Sequence, residues 1–274
     1  MSKSITLGQF YPTSSLLHRA DGRMKLILTL VFMVACFLSK SLCSFIFLAV
    51  STLLLVIASN VPLKIVMKSL KMIIYILIFT FILNVFFTAG EGDPIWSWWI
   101  LKLYPEGIWR AGFMALRVMC LVMGTGILVS YTTSPVDITH SIESLLKPLS
   151  KIGVPVHSFA MMMFIALRFI PTLSDDAEKI MTAQKSRGVD FSSGPLFARL
   201  RSLVSVLVPL FVSSFRRADE LAVAMECRCY HGGEGKTSLH VMKLKPMDFV
   251  LLFIFIAFAA GCVLLNRFKF GYTL

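Results

Sequence analysis

The chain has 274 residues, of which 57% are hydrophobic and 15% charged, and its 27 Lys and Arg against 15 Asp and Glu leave a net charge of +12. A soluble domain of this length carries about a quarter charged residues and has no interior large enough for so much apolar surface. The composition therefore excludes a soluble globular domain, and with it a nucleic-acid binder, whose basic face needs a polar scaffold. What remains is a polytopic membrane protein. In chain order, residues 1–25 are polar; the apolar text continues after residue 44 and no small-residue cleavage site intervenes, so this segment reads as retained rather than as a signal peptide. Apolar stretches without an acidic residue follow at 26–38, 45–58, 72–89, 107–131 and 249–266. A helical span needs about 20 apolar residues, slightly fewer in a thinned bilayer. The first two stretches are short and separated only by Ser39–Ser44, which predicts a tight helical hairpin that borrows flanking residues.

Orientation follows from the basic residues. With the N-terminus inside, the inner segments 1–25, 60–71 and 132–246 carry 21 of the 27 Lys and Arg, and the outer segments carry 4. The segment with Trp96, Trp98, Trp99 and Tyr104 then lies outside, at the headgroup level that suits amphipathic rings. Two further apolar runs, 156–173 and 202–215, would raise the count from five to seven. Seven spans would carry Lys179, Lys185, Arg187, Arg199 and Arg201 outside, against the positive-inside bias. The expected organisation is a membrane domain of four helices over 1–131, a cytoplasmic domain over 132–246, and a final span and tail over 247–274, with the C-terminus outside. The fold class is all-α.

Pro135, Pro148, Pro155 and the Gly194–Pro195 pair divide the inner segment into three helical pieces, about 136–151, 156–187 and 196–230. The second and third are apolar in their first halves and charged towards their ends, so their apolar faces need a partner. At an offset of 41 residues their ends match: Ala177 with Ala218, Glu178 with Asp219, Ile180 with Leu221, Ala183 with Ala224, and Arg187 with Arg228. Each arginine sits at a helix end near glycine, which alone is ordinary termination. Two matching tips in one chain suit a two-fold partner.

Other features carry less. Gly235-Lys236-Thr237 lacks the upstream glycine of a phosphate-binding loop, because Tyr230 stands there, and no strand precedes it. The six cysteines lack metal-ligand spacing: Cys36, Cys120 and Cys262 fall in spans, Cys43 at the hairpin, and Cys227 with Cys229 form a lone pair of ligands. The five histidines, His18, His140, His157, His231 and His240, all fall outside the spans in solvated or capping roles. None of the 15 acidic residues lies in a span, which argues against a self-powered ion-coupled carrier. An intramembrane enzyme would need polar catalytic groups meeting at membrane depth, and the sequence offers none. Arg117, about ten residues into the fourth span, either faces a protein cavity or partner or snorkels along a tilted helix.

Gly8-Gln9-Phe10-Tyr11-Pro12 with His18-Arg19-Ala20-Asp21-Gly22-Arg23-Met24-Lys25 resembles the opening of the transmembrane T component of energy-coupling factor (ECF) transporters. Ala183-Gln184-Lys185-Ser186-Arg187-Gly188 and Ala224-Met225-Glu226-Cys227-Arg228-Cys229-Tyr230 resemble that family's two Ala-Arg-Gly signatures. Leu167–Leu173 and Gly232-Gly233-Glu234-Gly235 are also similar. Gly22 replaces the usual proline, Ser186 the first alanine, and Cys227 and Cys229 the small residues around the second arginine.

The resemblance implies a non-catalytic subunit of an ABC-type importer for vitamins or other micronutrients in a prokaryotic cell membrane. Two cytoplasmic ABC ATPases, which hold the ATP and Mg, dock on paired coupling helices; this chain itself binds no cofactor. The implied ATPase-docking residues are Arg187, Arg228, Ser186, Gly188, Cys227 and Cys229. A separate S component captures the substrate and packs on the apolar halves of the coupling helices, for which Met161, Phe164, Leu167, Leu207 and Phe211 are the expected contacts. The glycine-rich tail suggests a module shared among several S components; dedicated modules for cobalt, nickel or biotin have similar coupling helices.

Overall fold

A computed structural model of the protein describes residues 11, 13, 15–87, 96–98, 101–191, 195–230, 232 and 244–267. The chain divides into two compact units, one formed by Gly8–Ser141 and Met242–Leu274, the other containing Ile142–Val241.

The first unit is a helical bundle: α1 (Leu16–Arg19), α2 (Gly22–Leu38), α3 (Leu42–Ser59), α4 (Leu63–Phe87), α5 (Pro105–Thr125) and α9 (Pro246–Leu265). α5 continues into a π-helical turn, Gly126–Tyr131. Two three-residue strands, β1 (Trp96–Trp98) and β2 (Leu101–Leu103), pair antiparallel with Trp96 opposite Leu103. They add a small ribbon to the otherwise helical plan. Among the described residues, four helical segments are long and apolar enough to cross a membrane: Leu42–Ser59, Gly107–Tyr131, Val156–Ser186 and Pro246–Leu265. α2, with 17 residues, falls just short, and Lys64, Lys68 and Lys71 confine the apolar part of α4 to Ile73–Phe86.

Apolar side chains on both faces of these helices make one core and one outward surface. Leu28, Phe32, Cys36, Phe45, Leu48, Ile127, Leu128 and Tyr131 are sealed inside, whereas Leu30, Ile57 and Phe253 project outward, as lipid-facing side chains do. Phe32 stacks on Phe258 and Phe45 on Phe113, with ring centroids 6.0 and 4.9 Å apart. α2 and α5 approach closely because Gly124 has no side chain: a Cβ there would collide with the Phe32 ring.

The α2–α3 hairpin is closed from α9. Asn266 Oδ1 accepts from the backbone N–H of Lys40 and Ser41 at 2.9 and 3.2 Å, and its Nδ2 donates to the Leu38 carbonyl at 2.6 Å. Arg117 completes this end. Its Nη2 donates to the Ser39 carbonyl at 2.6 Å, and its guanidinium lies over the Phe45 ring at 5.3 Å. The question left open by the sequence has a local answer: the cation closes the C-terminal end of α2, where the helix dipole and orphan carbonyls attract it. The short α2 ends level with Arg117, so α5 continues about 12 residues, roughly 18 Å, past the hairpin.

The second unit holds the latter part of α6 (Pro135–Leu146), a 3-10 turn over Lys147–Ile152, α7 (Val156–Ser186) and α8 (Leu196–Cys227). The sequence-predicted breaks fall where proline sets them: Pro135 opens α6, and Pro155 and Pro195 directly precede α7 and α8.

Candidate coupling site

The repeat seen in the sequence has a geometric counterpart within the second unit. Ser202 Oγ donates to the Asp190 carbonyl at 3.0 Å and Gln184 Nε2 to the Ser205 carbonyl at 3.4 Å, while the Tyr230 hydroxyl lies against the Met161 sulfur. Early residues of α7 therefore meet late residues of α8, and the helices run antiparallel. At the midpoint Arg217 Nη2 donates to Asp176 Oδ2, a pair 41 residues apart. That separation equals the repeat offset, so Asp176 and Arg217 occupy equivalent positions and sit on a local two-fold axis. The Ser202–Asp190 and Met161–Tyr230 contacts are near mates about that axis. Such an axis sends the two C-terminal tips to opposite ends of the pair.

The tips are alike in backbone as well as in sequence. At the first, Val189 N–H returns to the Gln184 carbonyl and Gly188 N–H to Lys185, with Gly188 at φ +85°. At the second, Tyr230 N–H returns to Met225 and Cys229 N–H to Glu226, with Cys229 at φ +57°. Both are glycine-type caps in which a left-handed residue turns the chain away and satisfies the last carbonyls. Each leaves its arginine at the helix end, exposed, and neither guanidinium makes a hydrogen bond or ion pair with another described residue. Ser186, Gly188, Cys227 and Cys229 are exposed beside them. Cys229 holds a conformation that costs a side chain about 1 kcal/mol relative to glycine. Replacing it, Cys229→Gly, is expected to raise the thermal midpoint of the solubilised protein by about 2–4 °C, and Gly188→Ala to lower it comparably; equal midpoints for all three proteins would remove the strain argument.

Known proteins resemble this chain along most of its length. The family described as cobalt transport protein (CbiQ) matches residues 13–239. The energy-coupling factor transporter transmembrane protein EcfT of Clostridium kluyveri is 49% identical over 250 residues, covering 91% of this chain and 92% of that protein. EcfT of Ruminiclostridium cellulolyticum is 47% identical with 97% and 98% covered, and EcfT of Bacillus subtilis 44% with 95% and 97%. The chain belongs to this family of ECF T components.

In this T component, the apolar residues expected to meet an S component fall into two groups. Leu207 and Phe211 on α8 are exposed, at 58% and 65%, in a stripe that continues through Leu200, Leu203, Val204 and Phe215. Met161, Phe164 and Leu167 on α7 are half-buried; the outward face of α7 is instead Phe159, Met162, Met163 and Ile170. Met161 and Phe164 line a shallow groove of about 310 Å³ with His157, Ile165 and Arg168. His157 Nδ1 donates to Glu143 Oε1 at 2.8 Å, and His18 is held by Ser15, Thr13 and the Tyr11 carbonyl. Gly8–Phe10, Pro12, Trp99, Gly194, His231, His240, the Gly233-Glu234-Gly235 part of the tail and the Gly235-Lys236-Thr237 decoy lie outside the described residues. The Asp176–Arg217 centre was missed by motif reading, although the 41-residue offset already set two opposite charges against one another.

Proposed function

We propose that this T component links ATP hydrolysis by two partner ABC ATPases to uptake of a vitamin or other micronutrient through an S component, as a module shared by several S components. The observation that carries the reading is the pair of exposed arginine tips, alike in sequence and cap geometry, at opposite ends of an antiparallel helix pair with a local two-fold axis. Two equivalent ATPases offer two equivalent sites, and a chain with one tip could engage only one of them. A guanidinium entering an acidic groove makes charge-assisted, bidentate hydrogen bonds. The exposed apolar stripe of α8 and the outward face of α7 then belong to the S component, because a patch of this extent is unstable in water. In this reading residues 132–246 are cytoplasmic, the N-terminus is inside and the C-terminus outside, although α7 is long and apolar enough to cross the bilayer. The basic residues of α7 and α8 support the cytoplasmic side. ATP and Mg reside on the ATPases.

The test is purification of the tagged chain from its native membrane, with masses and stoichiometry read by native mass spectrometry. Two ATPase subunits per chain with several alternative S components are expected. One constant S component makes the module dedicated, and absence of ATPases overturns the reading. In sealed cells, a cysteine placed at residue 187 is expected to resist an impermeant thiol reagent; labelling from outside would put α7 across the membrane.

A further inference from the structure

The N-terminal motif His18–Lys25 takes no part in ATPase or S-component docking as proposed above, yet it contains the most deeply buried cation among the described residues of the bundle. Lys25 stands immediately before the apolar run 26–38 and is 3% exposed. Its Nζ donates to the Thr132 carbonyl at 2.8 Å and to the His18 carbonyl at 3.4 Å. The Thr132 carbonyl is an orphan left at the end of the π-helical turn, which otherwise has no helical partner. Asp137, Asp21 and Asp248 act on the ammonium electrostatically, favouring its charge.

The acids are themselves tied. Asp248, 1% exposed, accepts from the backbone N–H of Asp21 at 3.0 Å and of Lys245 at 2.8 Å, joining the start of α2 to the start of α9. Asp21 caps α2 through Arg23 N–H, and Tyr11 N–H donates to the Tyr131 carbonyl at 3.0 Å. Gly22 lies directly against α6: a Cβ at that position would overlap Ser141 Oγ and stand 3.5 Å from Ser141 Cβ. Ser141 is fully buried and donates to the Asp137 carbonyl at 2.6 Å. The division between compact units falls between Ser141 and Ile142, and α6 gives way to the 3-10 turn Lys147–Ile152, which ends in Gly153 at φ +89°. Short 3-10 stretches and left-handed glycines are common hinge positions.

We propose that Lys25, Asp248 and the Gly22–Ser141 contact form a static joint that clamps the first two turns of α6 to the membrane bundle, making Lys25 and Asp248 positioning residues for energy coupling, with flexure beginning only at residues 147–153. The inference rests on the proposed coupling function. Its physical content is that motion imposed on the coupling helices does work on a membrane partner only if the chain leading to them has a fixed root. A root that yields dissipates the movement.

The experiment uses the complete transporter with its ATPases and S component in proteoliposomes, measuring ATP hydrolysis and substrate uptake together. Lys25→Met is expected to keep both ATPases bound and hydrolysis within about twofold, while uptake per ATP falls at least tenfold; an unchanged ratio overturns the joint. Should this variant not assemble, the paired substitution Gly22→Cys with Ser141→Cys decides, because the 3.5 Å Cβ separation suits a disulfide. The oxidised, mass-verified crosslink is expected to leave uptake within twofold of the same protein after reduction. Loss of uptake on oxidation and its return on reduction would show that this contact must open, and the proposal would fail. Failure of the coupling function itself is visible separately, as wild-type liposomes in which ATP hydrolysis drives no uptake.

Discussion

Replacing Arg187 and Arg228 together by Glu is expected to abolish recovery of the two ATPases with the membrane-inserted chain, and each single replacement to leave one ATPase per chain. The stoichiometric step from two to one to none is the result that distinguishes two equivalent docking tips from a diffuse basic surface. Each charge-assisted hydrogen bond to an arginine contributes about 1.5–3 kcal/mol, and 1.4 kcal/mol corresponds to tenfold in affinity. Reversing the charge against an acidic groove adds repulsion, so loss of more than a hundredfold per site follows. Arg→Lys at either position keeps the charge but loses the planar fork, and an intermediate recovery is expected. Insertion should be unaffected, because both arginines are exposed and lie outside the helical bundle. Retention of both ATPases by the double Glu variant would sink the docking assignment. Loss of both by either single variant would instead mean that the ATPases bind only as a preformed pair.

The tips could be read from the sequence because their information is local. A cap requires a particular residue type at a particular place, and the repetition of Ala, acid, Ala and Arg at one offset is visible without coordinates. The α2–α3 hairpin was legible for the same reason: two apolar runs and a six-residue polar break leave one arrangement. What escaped is what depends on residues distant in sequence. Asp248 reads as an ordinary acidic residue in the first turn of α9, and nothing near it announces that it receives the backbone of Asp21, 227 residues away. For Arg117 the sequence leaves a cavity or partner and snorkelling equally open, because the depth at which α2 ends beside it cannot be obtained from the length of α5. On α7, the contacts expected from the resemblance are Met161, Phe164 and Leu167. The chain just past the end of the antiparallel α8 partly covers that side, as the Tyr230–Met161 contact shows, and the open face is displaced to Phe159, Met162 and Met163. Periodicity identifies an apolar helix but does not say which of two neighbours covers which edge.

The Asp176–Arg217 centre gives the second large effect. Asp176 is 17% and Arg217 32% exposed in side chain, so the pair is screened less than a surface ion pair and more than a fully buried one. Asp176→Arg would oppose two guanidiniums at the middle of the antiparallel helices, at a cost of about 1–3 kcal/mol. The expected result is a lower thermal midpoint and a large loss of ATPase recovery, because both tips are positioned from this centre. The exchange Asp176→Arg with Arg217→Asp should restore most of both properties. Its power comes from the local axis. For a pair away from the axis, exchange would place each side chain in a new environment, whereas here a half-turn maps residue 176 onto 217, and the exchanged pair finds nearly the surroundings of the original. The coupling energy from the double-mutant cycle then reports the contact itself. A swapped protein as impaired as the single variant would show that the two positions are not equivalent, and that the repeat extends to the tips but not to the middle of the helices that carry them.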